Sequence, residues 1–381
     1  MTERELREIK RHLRPDRCNI GRVVGCFVNS SKQIVARISQ SLALGDSVVS
    51  ERLIGVLKKT LSGSLGSSLN QIDFSTRQVA ESEEHKLLMA LRNSGLSDAG
   101  LLESFYQRVT ESVEFEGNYV ILLANDVYDV MTKHSDGEAG ESSERFSYLI
   151  CAVCPLKDSP EALTFKEADS LFHTTGAGGV LGGPELGFMF PAFDGRSTNI
   201  YGALYYTRSG SESYPEFARR VLDSKAPMPP KHQRAAFCEE LHTALSEECD
   251  LGLVKAVQAT VAELIESHKE SRDPEPLMLT KHTVRDVLVN CGVDNERAEK
   301  LGEAMDADFG VGAAVSPKNI VSTTKFEVTM PEVKINISPD KRDLVSVRDM
   351  GGEKFLMIKV TGPVEVNGIN ISLDSGDRTE C

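Results

Sequence analysis

Two stretches of the chain are apolar at nearly every position: residues 118–124 (NYVILLA) and 146–155 (FSYLICAVCP). Runs this short and unbroken predict strands covered on both faces. A third stretch, residues 184–208 (PELGFMFPAFDGRSTNIYGALYYTR), gathers six of the 23 aromatic residues into 25 positions. Its β-prone arms, 185–190 and 199–207, flank the turn-formers Asp194, Gly195, Arg196 and Ser197, so the pattern predicts an antiparallel hairpin around which the core packs. Between the two apolar runs, residues 131–144 (MTKHSDGEAGESSE) are polar and predict a surface loop, while 21–28 and 33–39 predict another hairpin across 29–32.

Elsewhere a helical period governs the pattern. Residues 3–13 place Leu6, Ile9 and Leu13 on one stripe. Further helices are expected over 46–61, 82–93, 98–113 and 216–223, then a helical hairpin over 232–246 and 251–269, and two shorter helices over 280–291 and 295–309. Breakers stand at 224–231 (SKAPMPPK) and 272–278 (RDPEPLM). The last part alternates as strands over 325–330, 333–337, 344–347, 354–360 and 364–373, with an Asn367-Gly368 turn signal, and predicts one small antiparallel sheet. The expected architecture is α+β: a mixed or antiparallel sheet body with flanking helices over 1–223, a linker and helical hairpin over 224–279, and C-terminal helices with a small β module over 280–381.

Composition changes this picture little: 40% hydrophobic and 26% charged residues are ordinary for a soluble protein. No run approaches ~18 uncharged apolar residues, and the opening MTERELREIKRHLR is not a secretory leader. A cytoplasmic protein without membrane contact is expected. Charge is more informative. The net value is −14, yet residues 1–60 carry 12 Lys and Arg against 6 Asp and Glu, leaving 31 against 51 for the remainder. An acidic body repels nucleic acid, so any polyanion contact is expected at the N-terminal segment.

That segment supplies the first candidate site. Arg4, Arg7, Arg11 and Arg14 recur at helical spacing, and with Arg17, Lys58 and Lys59 they form a possible polyanion-binding set; the alternative is a solvated helix face. The second candidate is a cleft near the central hairpin, from Glu185, Asp194, Arg196 and Asn199, where Asp194 and Asn199 could equally cap the turn. Lys58 and Lys59 lead into a Gly/Ser-rich loop (LSGSLGSSLN), but the order GxxxxGK[ST] of a phosphate loop is absent, as is a dinucleotide fingerprint at 173–185. Asn125, Asp126 and Asp129 read as strand-end caps, and His85 as part of a solvated helix face.

Cys151 and Cys154 form a CxxC inside a strand-like run, where positions three apart point to opposite faces, so burial is expected rather than metal binding. No nucleophile elbow or metal-ligand set emerges, so no catalytic residue, metal or cofactor is assigned.

The segments KKTLSGSLG, FSTRQVAESEEHKLLMALR, GNYVILLANDVYDV, FSYLICAVCP and PELGFMFPAFDGRSTNIYGALYYTR resemble a conserved bacterial, clostridial-type family of unknown function. The order of elements also resembles, more faintly, the bacterial nucleoid-associated protein family, which would imply a non-catalytic, chromosome-associated role. The expectation is a non-catalytic interaction protein, possessing a basic N-terminal segment on an acidic body. A protein partner, weak non-specific nucleic-acid binding and self-association are all compatible with it. The alternative is an enzyme of unknown class with a cleft near 184–208.

Overall fold

The computed structural model describes residues 1–133, 139–159, 162–166, 171–175, 178–246, 249–310, 312, 314–322 and 324–372. The chain divides into two compact units, the first comprising Met1–Ala236, Ser271–Met278 and Ala314–Asn319, the second Phe237–Glu270, Leu279–Ala313 and Ile320–Cys381.

The first unit begins with α1 (Glu3–His12), the hairpin β1 (Arg22–Val28) and β2 (Ile34–Ser41), α2 (Ser47–Lys59) and β3 (Leu69–Asp73). Three helices follow, α3 (Thr76–Glu81), α4 (Glu83–Asn93) and α5 (Ala99–Ser112). The strands come next: β4 (Tyr119–Lys133), β5 (Ala139–Ser159), β6 (Ala162–Lys166), β7 (Leu171–Thr175), β8 (Gly178–Leu181), β9 (Leu186–Phe190), β10 (Ala192–Asp194), β11 (Ser197–Asn199) and β12 (Gly202–Thr207). Helix α6 (Pro215–Leu222) follows, and the division between the units falls within α7 (Pro230–Leu245).

One antiparallel sheet, in the order β2-β1-β4-β5-β9-β12-β3 with β8 also paired to β5, forms the body. Both apolar runs lie at its centre and are covered on both faces, so they read as unbroken rather than alternating. Ile121 and Leu123 face Leu88, Leu91, Phe105, Val109 and Phe217 of α4, α5 and α6. Val120, Leu122 and Ala124 face Leu6, Ile9, Ile54 and Leu57 of α1 and α2. The same alternation separates Cys151 from Cys154 onto opposite faces. Both are buried, and burial pushes the Cys154 thiol up to about 12.

The central hairpin forms as expected, β9 against β12, with a second small hairpin, β10 against β11, at its tip. Gly195 and Arg196 both have positive φ, the backbone that a two-residue turn requires. One expectation is corrected here. The strand through residues 118–124 does not end there but continues to Lys133, and β5 begins at Ala139, so most of the expected surface loop is β-ribbon; residues 134–138 lie outside the described residues. The Gly/Ser-rich loop after α2 is packed: Gly66 N donates to the Leu69 carbonyl, Asn319 Nδ2 donates to the Gly66 carbonyl, and a side chain at Gly66 would meet Met278 at 3.1 Å.

The second unit contains α8 (Leu251–Ser271), α9 (Lys281–Asn290) and α10 (Asn295–Phe309), the last two packed against each other across the Gly292 turn. After the short α11 (Pro317–Ile320), which bridges the division between the units, come β13 (Phe326–Met330), β14 (Val333–Ile337), β15 (Val345–Met350), β16 (Glu353–Ile358), β17 (Val364–Val366) and β18 (Ile369–Ile371). Among the described residues they pair as β13-β14, β15-β16 and β17-β18, three separate two-stranded ribbons in place of the single expected sheet. Residues 373–381, the first of which ends the last expected strand, lie outside the described residues. Among the described residues no helix is long and apolar enough to cross a membrane.

Candidate functional site

Helix α1 is fixed at its start by a capping box, in which the Thr2 hydroxyl accepts from Glu5 N and the Glu5 carboxylate accepts from Thr2 N. Its buried stripe carries not only Leu6, Ile9 and Leu13 but three polar residues at helical spacing, Glu5, Glu8 and His12, of which Glu5 and His12 are buried and Glu8 is half-buried. Beneath them, the strand alternation that turns Val120, Leu122 and Ala124 towards α1 turns Asp126 and Tyr128 the same way.

Each polar residue of the stripe meets a partner. Glu5 Oε1 accepts from Arg196 N at 3.0 Å. Glu8 Oε1 accepts from the Tyr128 hydroxyl at 2.7 Å and from Arg196 Nη2 at 2.9 Å. Arg196 Nη2 also donates to the Met131 carbonyl. The His12 ring meets Tyr128 at a tilt of 41°, with ring centroids 4.6 Å apart. Its Nε2 stands 3.1 Å from Asp126 Oδ2, but off the line of the ring N–H, so the approach is an ion-pair distance and not an aligned hydrogen bond.

Asp126 is wholly buried, which is tolerable only because donors surround it. Oδ1 accepts from Asn19 N and Val127 N, both at 2.8 Å, and Oδ2 accepts from the Tyr148 hydroxyl at 2.7 Å. Burial, reinforced by this carboxylate, holds the Tyr148 hydroxyl well above its ordinary pKa, so it remains a donor. Burial and the bond to Glu8 likewise push Tyr128 up to about 12.

Above this buried array opens a cleft of about 300 Å³ lined by Arg4, Glu8, Arg11, His12, Arg17 and Tyr128. Arg4 and Arg11 are exposed and have no ion pair among the described residues, whereas the Arg17 guanidinium is 3.6 Å from Asp16. The cleft is therefore net positive, with Glu8 neutralised from its other side by Arg196.

The two sequence-derived candidate sets thus meet, in part. From the basic set, Arg4, Arg11 and Arg17 converge on the cleft. Arg7 bonds to the Glu3 carbonyl and Arg14 pairs with Asp16. Lys58 stands beside Lys10, whose pKa burial lowers first and Lys58 lowers further, and Lys59 lies against Gly183. From the hairpin set, Arg196 reaches the site, while Asn199 bonds to Asp194 at 3.4 Å as a turn contact. Glu185 precedes β9 at its opposite end and pairs with Arg208 at 2.8 Å.

Two readings are corrected. Asp126 is no strand-end cap but a mid-strand buried acceptor. His85 is not solvated: it is 2% exposed, its Nε2 lies 2.9 Å from the Ile200 carbonyl, and its ring meets Phe74 and Phe190 edge-on. Glu5, Glu8, His12, Tyr128 and Tyr148 escaped the sequence reading. The available signal was that residues 5, 8 and 12 lie on the apolar side of α1, where polar residues need partners. Among the described residues no group of three or more His, Cys, Asp or Glu could hold a metal ion.

Fold and cleft together define an α+β protein with a small arginine-lined cleft backed by a buried Asp–His–Tyr array. Residues 1–369 match the family model described as Domain of unknown function (DUF4317), and the chain belongs to that family. Neither the curated proteins nor the solved structures contain a match.

Proposed function

We propose that this protein is a non-catalytic interaction protein that holds a compact, phosphate-type anion, carried by its partner, in the cleft beside α1. The observation that carries this reading is the convergence of Arg4, Arg11 and Arg17 on one cleft in which Arg4 and Arg11 have no ion pair among the described residues. Guanidinium forks match phosphate geometry bidentately, and Tyr128 and His12 give the cleft a rigid aromatic floor. The acidic remainder of the chain disfavours a long polyanion lying across it, so a chromosome-associated role would rest on weak, sequence-independent contacts at this cleft.

The test is a titration with pyrophosphate and with a short DNA duplex from ~50 to ~200 mM salt, on the intact chain and on Arg4→Ala/Arg11→Ala. Pyrophosphate should bind, lose affinity with salt, and weaken at least tenfold in the double variant. Absence of binding at low salt, or equal binding by the variant, defeats the reading; a duplex that binds more tightly than pyrophosphate favours the nucleoid-associated role.

The Asp126 carboxylate 3.1 Å from His12 Nε2 favours a second reading, because a buried carboxylate beside an imidazole at the edge of a cationic cleft is an acid–base pair. Hydrolysis of a phosphate ester by the intact chain, lost in His12→Ala, would replace binding with catalysis.

A further inference from the structure

We propose that the C-terminal ribbons, residues 326–371, present a self-complementary surface, carried on both sides of β15-β16, that docks onto the same ribbons of a second copy of this chain. The inference is independent of the cleft at α1.

A two-stranded ribbon is marginal on its own and normally needs a third strand or a packed layer. Here three such ribbons follow one another, and although Phe326 and Val345 are buried, most of their large apolar side chains are exposed. Eighteen large apolar side chains are exposed among the described residues, and eleven of them fall within these 46 positions. On the β15-β16 ribbon Val347 is 51% exposed and Ile358 50% on one side; Phe355 and Met357 are exposed on the other. Ile369 on β18 is 68% exposed. Isolated exposed apolar residues require no account, but a concentration of this kind marks an interaction surface.

Charge selects the occupant. Residues 325–372 carry seven Lys and Arg against seven Asp and Glu, so the whole of the −14 net charge lies outside them. This is a region through which two strongly acidic copies can approach without net repulsion. Arg348, Asp349, Glu353 and Lys354 on the β15-β16 ribbon, two of each sign, have no ion pair among the described residues. A two-fold axis through the ribbon would set cations of one copy opposite anions of the other, the reciprocal pairing of an isologous interface. A membrane or nucleic acid would call for a basic excess that the segment lacks. Residues 373–381 (LDSGDRTEC) contain one large apolar residue and are a poor cover for the ribbons.

Sedimentation velocity on the full chain, from ~1 to ~100 μM, reads the outcome directly. The expected species has about twice the 41.7 kDa chain mass. Phe355→Glu/Ile358→Glu should weaken the dimer at least tenfold while circular dichroism stays unchanged, since both side chains are exposed. Val35→Glu, exposed on β2, should have no effect. Should the first variant fail to fold, Ile369→Ser/Ile371→Ser on the neighbouring ribbon tests the same proposal. A chain that stays monomeric at the highest concentration, or a folded ribbon variant that dimerises as tightly as the intact chain, overturns the proposal.

Discussion

Asp126 shows what a single buried carboxylate demands of its surroundings. Two backbone amides, a phenol and an imidazole converge on it from three segments of the chain. Asp126→Ala leaves Tyr148 and His12 facing an empty acceptor position and should cost about 3–5 kcal/mol, whereas Tyr148→Phe should cost about 1.5–3 kcal/mol. Urea denaturation checks both, and a loss under about 1 kcal/mol for Asp126→Ala contradicts the account. At this scale the sequence was partly legible. The period of two placed Cys151 and Cys154 on opposite faces, because it is geometric. It also contained the placement of Asp126, two steps beyond Ala124 on the same face, but polar residues after an apolar run look like a strand end. His85 was misread for a related reason: its neighbours Glu83, Glu84 and Lys86 describe the solvent face of α4, while His85 itself turns inward to Phe74 and Phe190.

Among the elements, the central hairpin was the most legible, since turn-formers and aromatic arms specify register together. What the pattern did not reveal is how closely its strands approach. A Cβ at Gly187 would stand 2.2 Å from the Cys151 carbonyl oxygen and 2.8 Å from Thr60 Cγ2, so glycine is required by the contact with β5 and by the α2 terminus above it. Gly187→Ala should destabilise the chain by about 1–3 kcal/mol, measured as a lower midpoint in the same urea titration. An unchanged midpoint would mean that β5 and β9 can part without cost. Helix α3 was missed because six residues hold too little periodicity, although its Ser75–Gln78 capping box was there to be seen. The C-terminal strands were located by their alternation, yet their grouping into three ribbons was not, since pairing beyond the nearest turn leaves no local mark.

For the molecule as a whole, the α+β class and the antiparallel sheet followed from apolar runs and turns, and the family match over residues 1–369 agrees with the resemblance to a family of unknown function. The resemblance to nucleoid-associated proteins draws no support from the comparisons. The doubly covered sheet also sets a response to alkali. Burial raises the thiols of Cys26 and Cys154 to about 12 and that of Cys151 well above its usual value. An unfolded thiol loses its proton near ~8.5. Above that pH the unfolded chain binds fewer protons than the native one, so stability is full below about 8.5 and falls as pH rises towards the folded values, by up to about 1.4 kcal/mol per pH unit for each such group. Unfolding midpoints from pH 7 to 10 should therefore decline, and a flat profile would show that these thiols are not sealed.

The sheet order carries one more consequence, for synthesis. Strand β3 ends at Asp73, and in the sheet it pairs only with β12, beginning with Gly202. At a translation rate of ~5–20 residues per second, β3 leaves the ribosome roughly ten seconds before its partner exists. During that interval the nascent chain can pair β1 with β2 and β4, and β4 with β5, all of which emerge before β12, while β3 waits with an edge that only β12 closes.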